Sequence, residues 1–189
     1  MEQITKNVLE YLGNTHTKIE RKEGFMGNYY SHLIDTIYIA EAFETKEVPG
    51  AVKSINKKAA ELITVCHECI HSIQNKYVHL VNTIFSNLSL VLAIVCVAWG
   101  LFWTSPVWLR IIAGVVIVAS IIVRLVLEIG AVNGSIKLAA EIVDKGIIDS
   151  TSEQDIEKSI KYINNYKVVA LLQMVSDKII FLILTLVIN

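Results

Sequence analysis

Two stretches decide the fold: residues 85–103, FSNLSLVLAIVCVAWGLFW, and residues 107–127, VWLRIIAGVVIVASIIVRLVL. The first carries no charge, and the second only Arg110 near its start and Arg124 near its end. About 20 helical residues, at 1.5 Å rise each, cover the roughly 30 Å hydrocarbon core of a bilayer. Each stretch is therefore predicted to be a membrane span, with Thr104-Ser105-Pro106 as a tight hairpin turn between them. Trp99, Trp103 and Trp108 flank that turn, and tryptophan collects at lipid–water boundaries. A third apolar stretch, 168–188, is interrupted by Gln173, Asp177 and Lys178. It is read as a third span, the alternative being a buried helix of a globular bundle.

Composition agrees. Of 189 residues, 53% are apolar and mean hydropathy is +0.52, too hydrophobic for an ordinary soluble domain. Residues 1–22 are polar and lack the apolar core of a secretory signal, so the first span is expected to act as its own insertion signal. Nine basic residues precede that span (Lys6, Lys18, Arg21, Lys22, Lys46, Lys53, Lys57, Lys58, Lys76). Five lie between the second and third (Lys137, Lys145, Lys158, Lys161, Lys167), and the hairpin turn has none. The positive-inside rule then puts both the amino-terminal region and residues 128–167 in the cytoplasm of a multi-pass protein of the cell membrane. A net charge of −1 offers no basic surface to nucleic acid. Three cysteines give no disulfide framework, which fits reducing surroundings.

Before the first span, Ile55, Leu62, Ile63, Cys66, Ile70, Ile73, Tyr77 and Leu80 recur at spacings of three and four, the signature of an amphipathic helix. One long helix is predicted from about Val52, after a turn at Pro49-Gly50, into the first span. Within it stands Cys66-His67-Glu68-Cys69-Ile70-His71, the pattern H-E-x-x-H. Histidines at i and i+4 share a helix face and can share one metal ion. A glutamate beside the first can take a proton from a water activated by that ion. The motif fixes only three positions, and a surface histidine pair is the bland reading; at the edge of the apolar stripe, however, His67 and His71 face a packed partner. Cys66 and Cys69 are read as small packing residues.

Residues 2–12 read as a short helix with Ile4, Val8 and Leu12 inward, ended by Gly13-Asn14. The aromatic and β-branched run between Lys18 and Phe43 reads as a hairpin or edge strand. After the second span the helix is expected to continue through Leu138, Ala139, Ile142 and Val143 to Gly146. Ser150-Thr151-Ser152-Glu153 then caps a last helix carrying Ile156, Ile160 and Ile163. The whole chain, 1–189, reads as a single membrane-embedded unit, mainly α, with a small amino-terminal α/β element.

A catalytic zinc ion usually takes three protein ligands. Glu128 stands where the second span ends, and because the two spans have nearly equal arms it returns to the membrane face from which the H-E-x-x-H helix departs. Small residues after it, Gly130, Ala131, Gly134 and Ser135, let two helices lie close. The competing reading is an interfacial charge that merely ends a span. Glu141 and Asp144 are the fallback ligands.

These residues resemble the neutral zinc metallopeptidases of bacterial membranes, the YugP-like family. His67-Glu68-x-x-His71 followed by Ser72-Ile73-Gln74 is similar to that family's H-E-x-G-H-A-I-Q. The segment from Asn28-Tyr29-Tyr30 to Ile39 is similar to its H-Y-D-P and strand region, and Glu128 with Ala131 to its E-x-x-A. The resemblance spans nearly the whole chain in order and spacing. It implies a membrane-anchored zinc peptidase with His67, His71 and Glu128 as ligands and Glu68 as catalytic base. Two departures stand out: Ile70 replaces a small residue, and Val132-Asn133-Gly134-Ser135 differs from the family's A-S-x-R-A run.

The expected function is hydrolysis of peptide bonds in a peptide or protein substrate, with Zn2+ as cofactor and the lipid bilayer as surroundings. Tyr29, Tyr30, His32 and His79 are candidate oxyanion stabilisers, and the strand-like 36–39 segment is a candidate for pairing with an extended substrate. The rival readings are a catalytically inactive membrane scaffold and a metal-binding sensor or accessory subunit, in which Cys66, Cys69 and His79 would assist the histidines. A retained general base at Glu68 favours the enzyme.

Overall fold

The structure, a computed structural model, describes residues 1–23, 28–40, 57–103, 106–147 and 153–187. The turns expected at Pro49-Gly50 and Thr104-Ser105, the helix start near Val52 and the cap at Ser150-Thr151-Ser152 lie outside the described residues. The elements run α1 (Glu2–Tyr11), β1 (Lys18–Lys22), β2 (Tyr29–Ser31), β3 (Thr36–Ala40), α2 (Lys57–Ile73), α3 (Lys76–Phe102), α4 (Val107–Asp144), α5 (Glu153–Met174) and α6 (Ser176–Val187). Contacts divide them into two compact units, residues 1–74 with 130–166, and residues 75–129 with 167–189.

The first unit has a core of Val8 and Leu9 from α1, Ile37 and Ile39 from β3, Leu62, Ile63, Val65, Cys66 and Cys69 from α2, Leu138, Ala139 and Ile142 from α4, and Ile156 from α5. Ile4 and Leu12 pack against it, and Gly13 ends α1 with φ +69°, a left-handed conformation that costs glycine little. The small sheet has the order β1-β3-β2, with β1 parallel and β2 antiparallel to β3. The 36–39 segment is therefore the central strand, hydrogen-bonded on both sides, and the expected pairing of these residues with a substrate is overturned. An added strand needs an open edge, and in this sheet the edges belong to β1 and β2.

The long helix expected to run from about Val52 into the first span is two helices. α2 ends at Ile73, and Asn75 starts α3 by accepting the Tyr77 backbone N–H on its side chain at 2.8 Å. An asparagine that satisfies an orphan N–H supplies a helix start, and here it outweighs the continuous apolar spacing. Ile73, Tyr77 and Leu80, expected on the buried stripe, are exposed.

α4 is unbroken for 38 residues, about 57 Å at 1.5 Å per residue. It ends as expected, with Gly146 at φ +65° donating its N–H to the Val143 carbonyl. Along its second half it meets α2 closely. A Cβ on Gly134 would sit 3.1 Å from three atoms of the Ile70 side chain, and one on Gly130 would sit 2.9 Å from Gln74 Nε2. The large Ile70 and the small Gly134 thus occupy one contact.

In the second unit α3 and the first part of α4 are long and apolar enough to cross a membrane. Only 22% and 28% of their most apolar windows is buried. Small residues, Ala93 and Cys96 on α3 and Ala113 on α4, are fully packed, whereas Val91, Ile94, Ile111, Val115 and Ile122 face outward. The third apolar stretch, 168–188, is divided, since α5 stops at Met174 and α6 begins at Ser176. Lys178, one of its interrupting charges, is buried with its ammonium 3.2 Å from Ser86 Oγ of α3.

The Ile70–Gly134 contact gives a direct prediction. Gly134→Val should destabilise the first unit by about 1–3 kcal/mol through overpacking, and should do less harm in an Ile70→Ala background, with a coupling of roughly 0.5–3 kcal/mol between the two sites. A double-mutant cycle on denaturant unfolding checks this, and additive effects would mean that the two side chains do not meet.

Candidate metal centre

Helical spacing alone puts His67 and His71 on one face of α2. Their rings meet edge to face with centroids 4.7 Å apart, and their Nε2 atoms are 3.2 Å apart. Two ligands at about 2.0–2.1 Å from one tetrahedral zinc ion stand roughly 3.3–3.4 Å from each other, so the pair is already spaced for a shared ion. Glu128 joins them: one ligand atom from each of His67, His71 and Glu128 lies within 4.8 Å of the others. Glu128 reaches this place on the unbroken α4, half a turn ahead of the Gly130 backbone that lies against Gln74. Two imidazoles and a carboxylate form a donor set that catalytic zinc uses, and on spacing and chemistry the three residues fit a zinc ion.

His67 is half-buried and its companions are more enclosed. Glu128 is 2% exposed, and Glu68 and His71 are buried. A buried carboxylate is costly unless compensated; Arg124, one helical turn earlier, donates from Nη2 to Glu128 Oε1 at 2.8 Å. A carboxylate offers about four lone-pair sites, so Glu128 can keep this partner and still serve as a ligand. His71 Nδ1 lies 2.7 Å from Gln74 Oε1. Neither Arg124 nor Gln74 was singled out by the sequence as part of the site, although each stands at a helical pair spacing, i−4 from Glu128 and i+3 from His71, that could have drawn attention to it.

Cys66 and Cys69 are free and fully buried. Burial pushes the Cys66 thiol up to about 12. Burial, then the neighbouring Cys66 and Glu68, raises Cys69 as well. Thiols held protonated are poor ligands, and the packing role expected of these cysteines agrees with their place in the core.

Two of the four candidate oxyanion residues have other side-chain partners. Tyr30 donates its hydroxyl to Asp35 Oδ1 at 2.9 Å, and burial together with that carboxylate raises its pKa. Tyr29 stacks on Tyr38 with ring centroids 4.8 Å apart. His32 lies in the β2–β3 connection, where burial lowers its pKa, and His79 is buried on α3. The fallback ligand Glu141 is tied to Lys145 at 2.8 Å and to the Tyr11 hydroxyl on the exposed side of the first unit. Asp144 is the last residue of α4. Neither belongs to the group formed by His67, His71 and Glu128.

His67→Ala, His71→Ala and Glu128→Ala should each lower bound zinc well below one per chain, because two remaining ligands hold the ion poorly against solvent. Glu141→Ala should leave the zinc in place. Elemental analysis of the purified variants checks this, and full zinc in Glu128→Ala with loss in Glu141→Ala would reverse the assignment of the third ligand. In comparisons with family models, with curated proteins and with solved structures, nothing matches the chain.

Proposed function

We propose that the chain is a membrane-bound, zinc-dependent endopeptidase of the kind its sequence resembles, the YugP-like metallopeptidases. The observation that carries this reading is the convergence of His67, His71 and Glu128, with the two histidine Nε2 atoms 3.2 Å apart and the buried Glu68 next to the first ligand. His67, His71 and Glu128 would hold the ion. Zinc bound there supplies Lewis acidity, which brings the pKa of a water to about 7 and polarises a peptide carbonyl.

The chain's own residues supply the rest. Glu68 accepts the proton of the attacking water and delivers it to the leaving amine, the work of a general base that turns into a general acid. Arg124 pairs directly with Glu128 at 2.8 Å. The full burial of Cys66 and Cys69 favours the peptidase over a sensor that would use their thiols.

The membrane setting is supported by the outward-facing apolar side chains of α3 and α4 and by the length of α4. About 20 of its 38 residues suffice to cross a bilayer, and the remainder carries Glu128 and the packing face for α2. The basic residues on either side of the span pair favour a cytoplasmic catalytic face in a multi-pass protein.

Glu68→Gln should keep the zinc and the fold yet lose peptide cleavage by about 10²–10⁴-fold, the usual contribution of a positioned base. The measurement is cleavage of an unfolded test protein by zinc-loaded wild type and variant. Equal rates, or no cleavage by the zinc-loaded wild type across a broad peptide set, would hand the reading to the scaffold or the sensor.

Orientation has its own test. A thiol introduced by Val107→Cys at the start of α4 should react with a membrane-impermeant reagent from outside the cell. Background is low because the three native cysteines are buried. Labelling only from the cytoplasmic side would invert the topology.

A further inference from the structure

The end of α2 carries a contact that the peptidase reading does not itself require. Gln74 follows the last residue of the helix, and its backbone N–H still bonds to the Ile70 carbonyl at 3.1 Å. Asn75 then begins α3. Held in this final turn, three residues after His71, the Gln74 side chain folds back and sets Oε1 2.7 Å from His71 Nδ1. An amide oxygen only accepts, so Nδ1 is the donor. Neutral His71 then carries its proton on Nδ1 and keeps its lone pair on Nε2, the atom 3.2 Å from His67 Nε2.

The other end of the same amide is confined from α4. A Cβ on Gly130 would stand 2.9 Å from Gln74 Nε2, closer than such a contact tolerates. The atom met is the tip of a flexible side chain, so the fold could absorb the intrusion by turning the amide aside. That same movement would take Oε1 off His71. Gly130 lies mid-helix in α4, where alanine is the better helix former, so local helix preference gives no reason for glycine at this position.

We infer that Gln74 is a positioning residue for the metal centre, fixing the tautomer and ring orientation of His71, and that the missing side chain of Gly130 is what leaves the Gln74 amide in register. The inference rests on the zinc-site reading above. Partners that hold the second nitrogen of a ligating histidine typically contribute 10–100-fold in metal affinity, and Gln74 takes that place here through an amide rather than a carboxylate.

The test is Zn2+ binding alone, measured on the full-length chain by competition with a chromophoric chelator and paired with thermal unfolding of the metal-free protein. Gln74→Leu, similar in volume but without an acceptor, should weaken zinc binding by about 10–100-fold. Gln74→Glu keeps an acceptor for Nδ1–H and should bind within a few-fold of wild type. Gly130→Ala should weaken zinc binding in the same direction while leaving the metal-free fold as stable as wild type or more so. Added to Gln74→Leu, it should cause no further loss.

Wild-type affinity in Gln74→Leu, with zinc lost in His71→Ala, would overturn the positioning role and leave the metal site standing. Equal weakening by Gln74→Leu and Gln74→Glu would likewise overturn it, since the acceptor would then not matter. A Gly130→Ala chain that loses stability and affinity together would show that Gly130 serves helix packing rather than the amide. Absence of zinc binding in wild type would remove the site itself and the inference with it.

Discussion

The closeness of α2 and α4 depends on a side chain that α4 does not have. Gly134 leaves room for Ile70 on the α2 turn that presents His71, and Gly130, one turn earlier on α4, leaves room for the Gln74 amide just past the end of α2. Any Cβ at Gly134 presses on three atoms of a branched side chain 3.1 Å away, and packed interiors concede such space poorly. Glu128 stands two residues before Gly130 on the same unbroken helix.

Electrostatics adds a second constraint on the same residues. Glu128 is nearly inaccessible to solvent and is paired with Arg124 on its own helix. A buried ion pair recovers its desolvation cost only with good geometry and further partners. Two imidazole nitrogens and a cation between them would supply such partners. The arginine paired with Glu128 lies on α4 itself, one turn earlier. Glu68, next to His67 in the sequence, is a second buried carboxylate.

Much of this was legible in the residues because it is local. The i and i+4 histidines, the glutamate beside them, the glycine terminator at Gly146 and the helix at the amino terminus all follow from spacings within one or two turns. Glu128 required one more step, the near equality of the two apolar arms. What escaped was settled by single residues or by distant partners. Asn75 breaks a helix whose apolar spacing runs straight through it. The central place of β3 depends on β1 arriving parallel to it from earlier in the chain, which no period in the sequence announces. The division of the last apolar stretch at Val175 likewise leaves no proline or glycine to mark it. Gly134 already read as a small residue that lets two helices lie close, but that its partner is Ile70 depended on seeing the two helices together.

Zinc-edge X-ray absorption on the full-length chain loaded with one equivalent of Zn2+ tests the central claim most directly, because it reads the donor atoms themselves. Ligation by His67, His71 and Glu128 predicts a first shell of nitrogen and oxygen only, at about 2.0–2.2 Å, with the outer-ring scattering of two imidazoles. A zinc–sulfur distance of about 2.3 Å would put Cys66 or Cys69 on the metal, and would contradict the account of a histidine and carboxylate site built for hydrolysis.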